Sequence, residues 1–200
     1  MKNVLLLGDS IRLNYCARVK ELLADECRVC YPDANCAYTL YTIWNLRFWL
    51  EDLKEEGADC VDFDVIHWNN GIWDHHRTLD DGRPLCSLEQ YITLNRRLFE
   101  QLRRYTDKLI WACTTPASKG YQPVKGGLCE LSLEEWNKEI ALYNDVLATF
   151  LSSQGVMIND LYALIGSDTD RFISEDGVHL SQIGIESAAN RVADCIRRLL

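Results

Sequence analysis

Basic residues are scarce in this 200-residue chain: 21 Lys and Arg stand against 30 Asp and Glu, a formal net charge of −9. A surface with that balance repels polyanions, so broad nucleic-acid or anionic-membrane binding is not expected. Long hydrophobic runs are missing as well. The longest are strand-sized, short of the roughly 20 apolar residues needed to cross a bilayer. Met1-Lys2-Asn3 leads straight into an apolar stretch, without the basic segment, apolar core and cleavage site of a secretory leader. The nine cysteines are odd in number and follow no framework spacing, so they read as reduced thiols and the expected location is cytoplasmic. No repeat, linker or low-complexity segment interrupts the chain, and one domain over residues 1–200 is expected. At 48% hydrophobic and 26% charged residues the composition is that of a globular protein, not a disordered one.

Apolar runs alternate with helical periodicities. Strands are expected over 4–7, 27–31, 63–68, 108–114 and 156–158, each rich in Val, Ile, Leu or aromatic residues and closed by turn formers such as Pro32-Asp33 and Thr115-Pro116. A first helix is expected over 11–24. A second, over 38–54, carries Ile43, Leu46, Leu50 and Leu53 on one face. Ser87 with Gln90, and Ser132 with Glu135, have the spacing of capping boxes. Behind them run Tyr91, Leu94, Leu98 and Leu102, and then Trp136, Ile140, Tyr143, Leu147 and Phe150 up to Gly155. A loop with Gly120, Pro123, Gly126 and Gly127 precedes the second box. The last helix starts near Ser181 and carries Ile185, Ala188, Val192, Ile196 and Leu199. Five strands alternating with helices imply an α/β fold, a parallel sheet covered on both faces.

Two short motifs at opposite ends carry the chemistry. The first strand ends in Gly8-Asp9-Ser10, where glycine permits a tight exit and Ser10 meets the free N–H groups of a helix N-terminus. The plain alternative is Ser10 as a helix cap. Near the C-terminus stands Asp176-Gly177-Val178-His179-Leu180. Residues three apart in a turn bring carboxylate to imidazole, fixing its tautomer. Both segments follow strands and so belong at the same edge of the sheet, where open α/β folds gather function.

Together the motifs resemble those of the SGNH, or GDSL-type, hydrolases, over essentially the whole chain. The resemblance implies a three-layer α/β/α sandwich, flavodoxin-like, with strand order 2-1-3-4-5, and ester hydrolysis through an acyl-serine without a cofactor. It implies Ser10 as nucleophile, His179 as base and then acid, and Asp176 as the residue that orients His179. The oxyanion hole is expected from the backbone of Ser10, from Asn70 (Asn69 being the adjacent register) and from Cys36. The family carries Gly-x-Asn-Asp where this chain has Trp68-Asn69-Asn70-Gly71, and a glycine where Cys36 stands.

Further residues have competing readings. Trp73 is a candidate wall of the substrate pocket, Asn69 a candidate substrate contact, and Arg12 either steers substrate or lies on a solvated helix face. Trp68, Trp44 and Trp49 are expected in the packing between helices and sheet, and Thr114-Thr115-Pro116 at the rim. Cys27 and Cys30 would point to opposite faces of a strand, which disfavours chelation. Asp74-His75-His76 lacks a third metal-ligating partner and reads as a polar loop, so no metal is expected. The expected activity is removal of a small acyl group, acetate foremost, from a carbohydrate-like alcohol. An acyltransferase, a lysophospholipase or thioesterase, and a non-catalytic carbohydrate-binding protein are the alternatives. The expected partner is a small-molecule ester.

Overall fold

The alternation becomes five strands, β1 (Lys2–Leu7), β2 (Cys27–Cys30), β3 (Val65–Trp68), β4 (Leu109–Ala112) and β5 (Met157–Asn159). All neighbours pair in parallel, in the order β2-β1-β3-β4-β5. This computed structural model describes residues 1–55, 62–77, 81–121 and 131–200; Pro123, Gly126 and Gly127 of the expected loop lie outside them. The long helices are α1 (Ser10–Leu22), α2 (Thr39–Glu55), α4 (Leu88–Leu102), α5 (Leu133–Ser153) and α8 (Gln182–Leu199). Three short ones, α3 (Ile72–His75), α6 (Leu161–Gly166) and α7 (Thr169–Phe172), carry no periodic pattern in the sequence.

Successive strand residues point to opposite faces, which divides the core in two. Leu5, Leu7, Ile66, Trp68 and Trp111 pack under α2, α4 and α5, with Leu50, Leu98 and Leu147. Val4, Leu6, Val65, Ile110 and Ala112 pack under α1 and α8, with Val19 and Val192. Each such side chain taken fully from water contributes about 1.5–3 kcal/mol, so these two layers dominate any single cap. Cys30 joins the first layer and Cys27 the second, the opposed geometry expected of neighbours three apart on a strand. Among the described residues, seven cysteines are buried thiols.

Both capping boxes form: Ser87 and Ser132 accept from the N–H groups of Gln90 and Glu135, whose side chains bond back. β4 stops two residues early because Thr114 leaves the ladder. Its N–H and C=O pair with the Asn144 side-chain amide, each at 2.9 Å. Thr114 and Thr115 are accordingly buried beneath the sheet edge and do not form a rim. Trp49 lies in the core as expected, but Trp44 is 73% exposed. With Leu40 and Phe48 it forms a stripe at four-residue spacing, on a different face of α2 from the core-facing Ile43, Leu46 and Leu50. No described helix is long and apolar enough to cross a membrane.

Candidate active site

Ser10 is the first residue of α1, immediately past the carboxyl end of β1. Asp9 caps the helix, its Oδ1 accepting from the Ile11 N–H at 2.9 Å. The cap is therefore Asp9, and Ser10 stands one residue inside, its hydroxyl without a hydrogen-bond partner among the described residues. Gly8 is needed because the chain passes close to its own next turn: a Cβ there would stand 2.8 Å from the Arg12 Cβ.

The C-terminal motif is a closed loop between α7 and α8. Ile173 and Leu180 bridge its base, and the Ser174 N–H donates to the His179 carbonyl at 2.7 Å. Inside, Asp176 Oδ1 accepts from the N–H groups of Val178 and His179 and from the Ser174 hydroxyl, each at 2.9 Å. Asp176 Oδ2 accepts from His179 Nδ1 at 2.6 Å. Partial burial disfavours the charged carboxylate, but the bonds from Val178, His179 and Ser174 outweigh it and hold the carboxyl well below its usual range. A carboxylate can only accept, so Nδ1 carries the proton and Nε2 of a neutral ring keeps its lone pair. Gly177 has a φ of 79°, and its carbonyl accepts from the Ser118 N–H at 2.8 Å. A Cβ at Gly177 would overlap the backbone of Tyr121.

A backbone-to-side-chain bond fastens this loop to α1. The Leu180 N–H donates to Asn14 Oδ1 at 3.1 Å. Asn14 lies four residues after Ser10, hence on the same helix face, so His179 is carried to the turns that begin with Ser10. The buried Asp9 carboxyl also lies within electrostatic reach of His179. Sequence reading missed Asn14 and Ser174; nothing in their local spacing signals a tie across 166 residues.

The expected oxyanion donors require correction. The Cys36 N–H donates to the Gly8 carbonyl at 3.1 Å, so it points into the fold. Asn70 is buried, and its Nδ2 donates to the Ala37 carbonyl at 3.2 Å and to Thr42 Oγ1 at 2.9 Å. Thr42 in turn donates to the Cys36 carbonyl at 2.8 Å. Asn70 thus braces the 36–37 segment with both of its amide hydrogens. Asn69 is no substrate ligand either: its Nδ2 donates to the Ala112 carbonyl at 2.9 Å and its N–H to Leu7, knitting strand ends together. The residue in the left-handed region is Ala37, one place after Cys36, with φ 48°. Its N–H donates to the half-buried Asn35 Oδ1 at 2.8 Å.

Arg12 is neither on a solvated face nor open to substrate. It is wholly buried, and its guanidinium donates to the carbonyls of Pro32, Ala34 and Gly8. Asp74 accepts from the Thr39 N–H and hydroxyl, so it anchors the start of α2. His75 packs on Tyr143 with ring centroids 4.0 Å apart, and burial pushes its pKa down to about 3. The stretch read as a polar loop is thus the end of short helix α3, with Asp74 and His75 buried, and its cap His76. No cluster of three metal-ligating side chains occurs among the described residues. Trp73 is 37% exposed on α3, against His76.

Asp9 bears the largest electrostatic burden beside Ser10. Desolvation raises its pKa from 3.8 to about 6, only partly opposed by the Ile11 N–H and Arg12, and Oδ2 has no partner. Between those pH values the folded state holds more protons than the unfolded state, so this carboxyl makes stability fall as pH rises. Asp9→Asn keeps the capping oxygen and removes that slope. Its melting temperature, relative to wild type, is expected to increase from pH 4 to pH 7. The limit is about 3 kcal/mol, the free-energy equivalent of the rise from 3.8 to about 6. A difference that stays constant across that range contradicts the assignment.

Comparison with solved structures bears on the same features. A lipase/acylhydrolase from Enterococcus faecalis matches with a TM-score of 0.74 at 19% identity, covering 99% of this chain and 96% of its own. The chain has the SGNH-hydrolase fold. A variant of an acetyl xylan esterase from Geobacillus stearothermophilus matches at TM-score 0.71 and 17% identity, over 98% of this chain and 94% of that one. A member of the lipolytic G-D-S-L family from Veillonella parvula gives 0.71 at 13% identity, over 99% and 100%. No family model matches the chain, and no curated protein matches it by sequence. The SGNH fold extends over essentially the whole length, with Gly8-Asp9-Ser10 after β1 and Asp176–His179 before α8.

Proposed function

We propose that the protein is a serine esterase that releases a small acyl group, acetate foremost, from a carbohydrate-like or other small alcohol. The observation that carries this reading is the Asp176–His179 pair docked through Leu180 and Asn14 on the helix that begins at Ser10. The SGNH fold of enzymes described as acylhydrolases and acetyl xylan esterases supports the reaction class. Half-exposed Trp73, on α3 just after β3, offers an apolar surface of the kind that flanks sugar rings and short acyl groups.

In this reading His179 Nε2 takes the proton of the Ser10 hydroxyl as Oγ attacks the ester carbonyl. The tetrahedral oxyanion accepts from the N–H groups of Ser10 and Ala37, the first reinforced by the start of α1. The carbon–oxygen bond to the alcohol breaks, and His179 returns its proton to the departing oxygen. Water, deprotonated by the same nitrogen, attacks the acyl-serine; the bond to Oγ breaks, His179 returns the proton to Oγ, and the carboxylic acid leaves. Asp176 orients the ring and offsets its positive charge throughout. Engagement of the Cys36 N–H and the Asn70 amide within the fold favours one rival, a carbohydrate-binding protein without turnover.

Acetate release from acetylated xylo-oligosaccharide, beside p-nitrophenyl acetate and p-nitrophenyl octanoate, tests the proposal. The expected order is activity on both acetyl esters and little on the octanoyl ester. Preference for octanoate overturns the acyl-group assignment. Absence of hydrolysis with retained sugar binding supports the rival.

A further inference from the structure

Residues 31–38 between β2 and α2 contain no regular secondary structure, yet they carry Cys36 and Ala37 to the nucleophile turn. Such a segment keeps one conformation only where side chains or strand edges hold its carbonyls. Two of those carbonyls meet a single group. Arg12 Nη1 donates to the Pro32 carbonyl at 2.8 Å, and Nη2 donates to the Ala34 carbonyl at 2.6 Å and the Gly8 carbonyl at 3.3 Å. Nη2 also lies 3.7 Å from Cys36 Sγ. The Gly8 carbonyl accepts from the Cys36 N–H as well, so one oxygen, two residues before Ser10, joins the helix, the loop and the guanidinium. Among the described residues Arg12 has no carboxylate ion-pair partner, although it is wholly buried. A buried guanidinium is costly to desolvate, and here hydrogen bonds to carbonyls, not a contact ion pair, satisfy it. A planar fork with donors on separate nitrogens spans carbonyls that a lysine's single nitrogen cannot.

The geometry points to Arg12 as a positioning residue, whose guanidinium fixes the 32–37 segment and its Ala37 N–H against the Ser10 turn. It rests on the esterase reading above. Arg12 touches no reacting atom. It acts through the Ala37 peptide, which stabilises the tetrahedral oxyanion more than the planar ester, so its loss falls on kcat and not on KM. Gly8 belongs to the same device, since the close passage of Arg12 Cβ leaves no room for a side chain there.

The test uses the whole protein with Arg12→Lys, which keeps the charge and loses the fork, and Arg12→Gln, which keeps a donor and loses the charge. Each is assayed on p-nitrophenyl acetate, labelled with a fluorophosphonate, melted by circular dichroism and followed by amide hydrogen exchange. The expected result is a cooperative melt, kcat lowered by roughly 10- to 100-fold with KM little changed, and slower labelling. Faster exchange over 31–38, with α8 unaltered, completes it. A folded variant with wild-type kcat overturns the inference, as does failure of both variants to fold, which would assign Arg12 to folding alone. Wild type that neither hydrolyses nor labels removes the esterase reading itself, and a working wild type beside unimpaired variants removes only Arg12.

Discussion

Ser10→Ala is expected to lower kcat on p-nitrophenyl acetate by roughly ten-thousand-fold or more while leaving the melting temperature within about 1 °C of wild type. The size follows from the chemistry: without Oγ there is no acyl-enzyme, and His179 is left to activate water that nothing positions. The structural neutrality follows from the fold. The cap of α1 is Asp9 and not Ser10, and the Ser10 hydroxyl holds no hydrogen bond whose loss would weaken the turn. Circular dichroism melts beside steady-state kinetics check both halves. A large fall in stability would mean that the serine is a structural cap, and a small fall in rate that another group attacks the ester.

Asp176→Asn is expected to reduce kcat by roughly a thousand- to ten-thousand-fold, because an amide nitrogen facing Nδ1 favours the tautomer that protonates Nε2, and the base is lost. The same carboxylate organises the loop through the N–H groups of Val178 and His179 and the Ser174 hydroxyl. Its pKa is depressed in the folded state, so its stabilisation is present above the ordinary carboxylate range and lost only as pH falls through the lower folded value. Loop integrity is thus expected to persist in wild type at pH 4 and to be weaker in the variant at every pH above it. Tryptic cleavage after Arg171, compared at pH 7, and kinetics across pH read the two effects separately. Equal kcat in both proteins would contradict the orienting role.

The strands, the long helices and the two capping boxes were legible because each rests on short-range periodicity, whereas the sheet order came only from the resemblance carried by the two terminal motifs. Strand residues alternate over two positions, helix faces recur over three and four, and Ser87 and Ser132 announce their partners three residues ahead. The candidates Ser10, Asp176 and His179 stood out for a similar reason, since each sits in a motif of three to five residues. What the sequence concealed lies in irregular segments and distant ties. Arg12 reads as a surface residue until the carbonyls of Pro32 and Ala34 arrive from 20 and 22 residues away. The loop backbone was not legible either: the positive φ falls at Ala37 and not at Cys36, because it follows from neighbours such as Asn35 and Asn70, not from residue type. Trp44 reads as core by its chemistry, but its position on α2 turns it outward.

The most direct test of the account is covalent trapping. Wild type and Ser10→Ala are incubated with a fluorophosphonate, digested and mapped by mass spectrometry. A single adduct on Ser10, absent from the variant, is expected. An adduct on any other residue, or wild type that stays as unmodified as Ser10→Ala, contradicts it.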